Sequence, residues 1–240
     1  MTSELRPSRW STTVCCLLYG DYPELAYRCL KPISELYNNG VPVRISCNEI
    51  SDRTRSVIKK LFEKPERLIT LENNPQIYKY PAMRELLWKT DPITTDYVMW
   101  FDDDSYIKDP SPVKWLTEVE NFMVETMADM IGSLYQVISF PKQNEWRRLH
   151  CSWFKPSMVS NRTLFATGGW WSIKSSLLSK YDWPHKDLKH RGGDVLLGEL
   201  IKHEGLRLKK FNKGIAINAD ENGKESASKR RGYDEPPIGL

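Results

Sequence analysis

The sequence has no apolar run whose length approaches that of a membrane-spanning helix, which requires about 18 residues. Its first residues, Met1 to Arg9, are polar and contain no apolar signal-peptide core. Five cysteines are present, and none forms a C-x-x-C pair. An odd set without that spacing is typical of reduced thiols, and not of a disulfide framework or a structural zinc site. These absences predict a cytoplasmic protein without an integral membrane segment.

A strong excess of either charge is also missing. The 35 Lys and Arg residues exceed the 31 Asp and Glu residues by only 4. This balance permits an anionic partner without indicating one. The four histidines show no H-E-x-x-H spacing, so structural or exposed positions are more common for them than metal ligation. The composition is that of an ordinary globular protein.

The most informative stretch that is present is an apolar run at 97–101, which ends in Asp102-Asp103-Asp104. Such a run predicts a buried parallel strand, whose carboxyl end faces the crevice where open α/β sheets bind ligands. Three adjacent carboxylates repel one another, and a divalent cation with oxygen ligands is the simplest counter-charge. The alternative is a solvated acidic turn, because Asp is a common turn residue. The sequence therefore predicts a metal site.

Strand and helix alternate through the first half of the chain, which predicts a mostly parallel sheet with helices on both faces. The predicted strands are 12–19, 41–47, 68–71 and 97–101, and the predicted helices are 24–37, 52–60, 81–89 and 112–127. Pro32 should kink or split the first helix. In the second half, strands are predicted at 129–139 and within 206–219, and helices at 175–180 and 194–203. The polar segment 221–240 predicts a flexible tail.

Three features follow one another in a fixed order. They are the Asp triplet, then Gly168-Gly169-Trp170-Trp171-Ser172, and then Asp194-Val195-Leu196-Leu197-Gly198. The set resembles the nucleotide-sugar-dependent glycosyltransferases of the GT-A fold, above all the fringe-like and β-1,3-galactosyltransferase group. There an apolar strand ends in Asp-Asp-Asp, followed by a Gly-Gly-aromatic segment and an Asp-Asp-x-x-x-Gly element. The opening strand and helix also look like those of family 2 enzymes, and the resemblance spans roughly residues 12 to 220.

The resemblance implies an α/β fold with a single GT-A type domain over residues 1–220 and a mostly parallel, Rossmann-like central sheet. A nucleotide-sugar-binding half is expected at 12–110, and a mixed acceptor-binding half at 111–220. The implied activity is that of a hexosyltransferase. It moves a sugar from a nucleoside diphosphate sugar, by default a UDP-sugar, to an acceptor hydroxyl with inversion. The implied cofactor is Mn²⁺ or Mg²⁺.

By the same resemblance, Asp104 ligates the metal directly, while Asp102 reaches the ribose or a metal-bound water. Asp103 is expected to orient the loop. The metal would act as a Lewis acid on the diphosphate leaving group, and carboxylates suit Mn²⁺ or Mg²⁺. A further ligand could come from Asp220, His203 or water.

Asp194 is the candidate general base, which would take the proton from the acceptor hydroxyl. An Asp just before a helical run is also a common N-cap, and capping alone would explain the residue. The first Asp of the family's pair is replaced here by Gly193. If the enzyme retains configuration, Asp194 has a different role.

The remaining candidates concern the nucleotide sugar. Gly168-Gly169 would let the backbone approach the sugar, unless the pair is simply a turn. Trp170 and Trp171 point in opposite directions in an extended chain, so at most one faces the site and the other belongs to the core. Contacts to the nucleotide are also expected from Tyr19, Gly20, Asp21, Asn48 or Glu49, and Arg84, each of which could instead be a surface residue.

The acceptor stays open at this stage. The segment 146–155 interleaves cations with aromatic residues, a pattern that suits nucleic acid but also an ordinary solvated basic face. A hydroxylated pyrimidine in viral DNA is therefore an alternative acceptor, and a non-catalytic nucleic-acid-binding module is an alternative function. A nucleotidyltransferase would need a Gly-rich basic loop after the first strand, which residues 19–22 lack.

Overall fold

The structure is a computed structural model, and it describes residues 10–63, 65–138, 141–160, 162–190, 192–220 and 222–223. Side chains are described throughout these ranges except at 138 and 141–143. The predicted tail 221–240 lies outside the described residues, apart from 222 and 223.

A seven-stranded sheet forms the centre, with helices packed on both of its faces. The strands are β1 (Thr12–Tyr19), β2 (Val43–Asn48), β3 (Ile69–Asn73), β4 (Tyr97–Asp102), β5 (Tyr106–Ile107), β6 (Met130–Ile138), β7 (Arg162–Lys174), β8 (Leu208–Lys210) and β9 (Ile215–Ala216). The helices are α1 (Pro23–Asn38), α2 (Asp52–Leu61), α3 (Lys79–Trp88), α4 (Pro112–Glu125), α5 (Pro141–His150), α6 (Ser175–Lys180) and α7 (Gly193–His203).

The sheet has the strand order β3-β2-β1-β4-β7-β6-β8. All neighbouring strands run parallel except at β7, which is antiparallel to both β4 and β6. Strands β5 and β9 form a separate antiparallel pair. The predicted α/β class and the mostly parallel sheet are confirmed.

Two hydrophobic clusters cover the two faces of the sheet, because successive residues of a strand point to opposite sides. Helices α1, α2 and α4 pack on one face, and α3, α6 and α7 pack on the other. Helix α1 continues through Pro32, so the predicted split of this helix does not occur. Buried residues on both sides of the proline hold the helix against the sheet, which outweighs one lost backbone hydrogen bond.

Parallel strands bring their carboxyl ends to one edge of the sheet. Tyr19 pairs with Asn48, and Leu17 pairs with Asp102, so the ends of β1, β2 and β4 lie side by side. Strand β7 enters from the opposite direction and places Gly168 and Gly169 beside the end of β4. The two glycines therefore lie within a strand and do not form a turn. No helix among the described residues has the length and apolar character needed to cross a membrane.

Candidate active site

A cavity of about 360 Å³ opens at this edge of the sheet. It brings together residues from both halves of the chain. The predicted residues that line it are Tyr19, Asn48, Asp102, Asp103, Asp104, Gly168, Gly169 and Asp194. Residues that the sequence did not suggest also line it, and they include Leu17, Lys79, Tyr80, Thr167, His190, Gly192 and Asn218.

The Asp triplet forms a tight turn after β4, closed by a 2.9 Å hydrogen bond from Ser105 N–H to the carbonyl of Asp102. Asp103 and Asp104 are only 7% and 8% exposed. The carbonyl of Asp104 accepts a hydrogen bond from the N–H of Ala219 at 2.7 Å, which connects the turn to the segment that follows β9. The alternative of a solvated acidic turn is therefore wrong.

Both oxygens of Asp102 are engaged by protein donors. Oδ1 accepts a hydrogen bond from the indole N–H of Trp100 at 2.9 Å, and Oδ2 accepts one from the ammonium Nζ of Lys79 at 2.5 Å. Trp100 is fully buried beneath the end of β4. Asp102 is thus fixed in orientation from two sides.

The described residues contain no cluster of three or more His, Cys, Asp or Glu side chains arranged to hold a metal ion. His203 lies away from the cavity, where Nδ1 accepts the N–H of Lys155 at 2.7 Å and Nε2 contacts Glu199. Asp220 does not line the cavity either. The oxygen donors of the Asp turn nevertheless fit Mn²⁺ or Mg²⁺, since such ions often take one or two carboxylates and complete their shell with phosphates and water.

Lys79, the first residue of α3, is a cation of this site that the sequence analysis missed. It is 7% exposed, and besides Asp102 its Nζ donates to the carbonyl of Gly168 at 2.7 Å. A Cβ atom on Gly168 would lie 2.9 Å from this Nζ, so the glycine makes room for the ammonium. One signal in the sequence could have found it. Strand β3 is parallel to β2 and ends at the same edge of the sheet, and Lys79 begins the helix that follows β3.

Asp194 is the second residue of α7, and the N-cap of this helix is Gly192, whose φ is 81°. Capping therefore does not explain Asp194. Its Oδ1 accepts the N–H of Val195 at 2.9 Å. Burial raises the pKa of Asp194, while the nearby Lys79 ammonium and backbone N–H groups, including that of Gly168, act in the opposite direction. The pKa of the carboxyl remains above its ordinary value.

Tyr80 gives a physical reason for glycine at position 193, where the group that the motifs resemble has the first Asp of a pair. A Cβ atom on Gly193 would lie 2.2 Å from Cζ of Tyr80, so any side chain at this position would collide with the ring. The buried Tyr80 hydroxyl is hydrogen-bonded to the backbone at Gly193 and Asp194, where the first N–H groups of a helix lack intrahelical partners. Burial raises the pKa of Tyr80 well above its ordinary value. Tyr80 thus anchors the start of α7.

Several predicted residues do not line the cavity. Trp170 and Trp171 are both buried, in clusters on opposite faces of the sheet. Neither of them lines the cavity, although one of the two was a candidate to face the site. The cause is the register of β7, which pairs them with Phe101 and Trp100 inside the sheet.

Three further candidates, Gly20, Asp21 and Arg84, also lie outside the cavity. Asp21 is exposed and accepts hydrogen bonds from Ser51 and Arg53. Arg84 forms a 2.8 Å ion pair with Asp182 and donates to the carbonyl of Pro184. The side chains of Asp21 and Arg84 thus stabilise local loops.

The basic and aromatic segment 146–155 begins within α5. Arg147 is 2% exposed and is therefore not available to a phosphate. Trp146 stacks on His150, with ring centroids 4.9 Å apart, and meets the edge of His185. Arg147 and both tryptophans of the segment, Trp146 and Trp153, are thus engaged within the protein, whereas Arg148 is exposed.

The chain matches no protein-family model and no curated protein sequence. Its fold is similar to that of mannosyltransferase PcManGT from Pyrobaculum calidifontis, solved in complex with GDP-Man and Mn²⁺. The TM-score is 0.56 at 16% sequence identity, over 88% of this chain and 58% of that chain. TarS 1-349 from S. aureus gives a TM-score of 0.54 at 14% identity, over 84% of this chain and 58% of that chain.

The chain thus spans little more than half the length of these solved proteins. At such low identity the likeness establishes the fold and nothing finer. The fold is a single mixed α/β domain of the GT-A-like type, built on the seven-stranded sheet.

Proposed function

We propose that this chain is a metal-dependent glycosyltransferase that moves a sugar from a nucleoside diphosphate sugar to an acceptor hydroxyl. The observation that carries the proposal is that Asp104 and Asp194, which lie far apart in the sequence, line one cavity at the carboxyl edge of the sheet. Ligands of open α/β sheets bind at this edge. The GT-A-like fold supports the same activity.

The charge of the cavity supports a metal requirement. Four carboxylates and one ammonium, that of Lys79, are the side chains with fixed charge among the described residues that line it. A diphosphate would be repelled from this surface unless positive charge arrived with it. Asp104 is the carboxylate that we assign to Mn²⁺ or Mg²⁺. When bound, such an ion supplies Lewis-acid stabilisation of the departing diphosphate.

Asn48 supports binding of a nucleotide. It is fully buried, and its Oδ1 accepts the N–H of Ile77 at 2.9 Å, which directs the amide NH₂ to the other side. Nδ2 has no hydrogen-bond partner among the described residues. A buried donor without an acceptor costs free energy, which a carbonyl oxygen of a nucleobase would recover. We take UDP as the donor nucleotide, with GDP as the alternative.

Asp194 is the residue that we assign as general base. A raised pKa makes a carboxylate a stronger base, and the N–H of Val195 fixes its orientation. The carboxylate would take the proton of the acceptor hydroxyl as that oxygen attacks the anomeric carbon. A single base of this kind supports inversion, as in the fringe-like group that the motifs resemble.

We assign nucleotide-sugar binding to residues 12–110 and acceptor binding to residues 111–220. Lys79 and the Asp turn belong to the first part, and Asp194 belongs to the second, so the cavity lies where the two parts meet. The acceptor could be a glycan, a protein, a small molecule or a hydroxylated base in DNA.

The test is thermal unfolding in the presence of UDP, GDP or CMP, each with and without Mn²⁺. A ligand at ~100 times its Kd adds about 2.7 kcal/mol, which raises the Tm by several degrees for a domain of this size. We expect one nucleoside diphosphate to stabilise the protein only with Mn²⁺. Asp104→Asn should abolish that shift.

Asp52→Asn is the matched control, because Asp52 is a fully exposed aspartate in the first turn of α2. It should behave like the wild-type protein. If no nucleotide shifts the Tm at any metal concentration, the glycosyltransferase proposal fails. Salt-sensitive binding of DNA would then favour the non-catalytic module.

A further inference from the structure

The ammonium of Lys79 is the only fixed positive charge among the described residues that line the cavity. It is held at the wall by two acceptors, Oδ2 of Asp102 at 2.5 Å and the carbonyl of Gly168 at 2.7 Å. An ammonium group has three N–H donors in tetrahedral arrangement. Two acceptors on the wall therefore leave one donor for a group inside the cavity.

The surroundings of Asp102 indicate that this carboxylate positions Lys79. Its second oxygen accepts a hydrogen bond from the indole N–H of the fully buried Trp100, so Asp102 cannot turn away from Lys79 without leaving this buried indole without its acceptor. Both oxygens of Asp102 are thus occupied by donors of the cavity wall, the Lys79 ammonium and the Trp100 indole.

We propose that Lys79 binds the diphosphate of the donor directly, and that Asp102 serves to hold Lys79 in place and does not ligate the metal. This inference rests on the proposed function, since it concerns the same cavity. The phosphate is the part of the donor that an ammonium recognises, because it carries the negative charge. Metal binding is then left to Asp104.

A purely structural role for Lys79, as the counter-ion of a partly buried Asp102, makes a different prediction. Removing the lysine alone would leave Asp102 with an unpaired charge and destabilise the site. The double variant Lys79→Met/Asp102→Asn removes both charges together. If Lys79 is only a counter-ion, this double variant should regain nucleotide binding.

The experiment is a calorimetric titration of the full chain with UDP at saturating Mn²⁺, with UMP as the comparison that lacks the second phosphate. GDP and GMP replace UDP and UMP if GDP is the nucleotide that stabilises the protein in the thermal unfolding test. The variants are Lys79→Met, Asp102→Asn and the double variant. Lys89→Met is the matched control, because Lys89 lies at the C-terminal end of the same helix, far more exposed and paired with Glu85.

We expect Lys79→Met and the double variant to bind UDP at least about 10-fold more weakly than the wild type, the cost of a lost hydrogen bond to a charged group. The affinity for UMP should fall less, and Lys89→Met should match the wild type. Asp102→Asn should keep the Mn²⁺ dependence of UDP binding, whereas Asp104→Asn loses it.

Wild-type affinity for UDP in the double variant would overturn the role of Lys79 and leave the proposed function standing. Loss of the Mn²⁺ dependence in Asp102→Asn would overturn the assignment of Asp102. Failure of the wild type to bind any nucleoside diphosphate would overturn both this inference and the proposed function.

Discussion

At the scale of single residues, the site depends on carboxylates that the protein places in unequal environments. Asp102 is paired with Lys79, Asp104 is buried in the turn, and Asp194 is surrounded by backbone N–H groups at the start of α7. Unequal environments give carboxyl groups different pKa values and different roles. The three residues are therefore expected to respond differently to the same Asp→Asn change.

Asp194→Asn should lower the rate of sugar transfer by about 10²–10⁴-fold, the usual contribution of a general base. Affinity for the nucleotide should stay unchanged, because the amide retains an oxygen that can accept the N–H of Val195. Single-turnover release of the nucleoside diphosphate measures the first effect, and calorimetry measures the second. Asp187→Asn, at an exposed aspartate, is the control. A wild-type rate in Asp194→Asn would remove the residue from the mechanism.

The raised pKa of Asp194 also links this residue to stability. Because the folded-state pKa lies above the unfolded one, its contribution to stability is fully present below the unfolded pKa and is lost as the pH rises through the folded pKa. Asp194→Asn should therefore have a higher Tm than the wild type near pH 8, and the difference should shrink below about pH 4. Melting curves across this range check the sign. A wild-type protein that is the more stable of the two at pH 8 contradicts it.

Under the proposed function, the same shift also sets the pH dependence of sugar transfer. The general base acts in its deprotonated form, and a raised pKa means that this form is lost at a higher pH than for an ordinary Asp. The acid limb of the log kcat profile should consequently lie above the ordinary Asp value of about 3.9. The profile of single-turnover rates from pH 4 to 8 measures this limb.

At the scale of secondary-structure elements, α7 is positioned by its contact with α3. The ring of Tyr80 occupies the space where a side chain of residue 193 would lie, and its hydroxyl is hydrogen-bonded to the backbone there. Both helices pack on the same face of the sheet. The start of α3 provides Lys79 and the start of α7 provides Asp194, so this contact sets the position of the Lys79 ammonium relative to the Asp194 carboxylate.

Gly193→Ala should destabilise the protein by about 1–3 kcal/mol, the typical cost of overpacking a core. The methyl group would meet Tyr80 at 2.2 Å, and the ring is 3% exposed and cannot move into solvent. Thermal unfolding measures the loss. Tyr80→Phe is the companion variant, since it keeps the ring and removes the hydrogen bonds of the hydroxyl. An unchanged Tm in Gly193→Ala would mean that the ring yields and that Gly193 is not required by packing.

At the scale of the whole molecule, one sheet joins the two proposed halves. Strand β4 of the first half pairs with β7 of the second over Tyr97–Phe101 and Trp170–Lys174. The two hydrophobic clusters each contain residues from both halves. Neither half can bury its strands without the other.

Unfolding should consequently be a single transition. We expect denaturation curves from tryptophan fluorescence, far-UV circular dichroism and near-UV circular dichroism to coincide, which is the standard test of cooperative behaviour. The nine tryptophans include Trp100, Trp115, Trp170 and Trp171 in the buried core, so fluorescence reports on both faces of the sheet. Two separated transitions would show that residues 12–110 and 111–220 fold as independent units.

Most of the order of strands and helices in the first half of the chain was determined by the sequence alone, because that order depends on local patterns. Strands β5 and β7 and helix α5 were not predicted. Strand β1 begins and ends at the predicted residues, and the apolar run before the Asp triplet is the buried β4. The sequence also determined that Asn48 and Asp102 lie at one edge of the sheet, because the carboxyl ends of parallel strands lie side by side. Periodicity and connection order carry this information without knowledge of distant contacts.

Register and packing were decided only by the tertiary structure. The register of β7 buries Trp170 and Trp171 and places Gly168 beside Lys79, although a Gly-Gly-aromatic run also suits a ligand-binding loop. Tyr80 excludes a side chain at Gly193, and Lys79 reaches Asp102 across 23 positions of sequence. These facts depend on which side chains meet in space. Local patterns do not encode such contacts, because they arise from the way α3, β7 and α7 pack on a shared sheet.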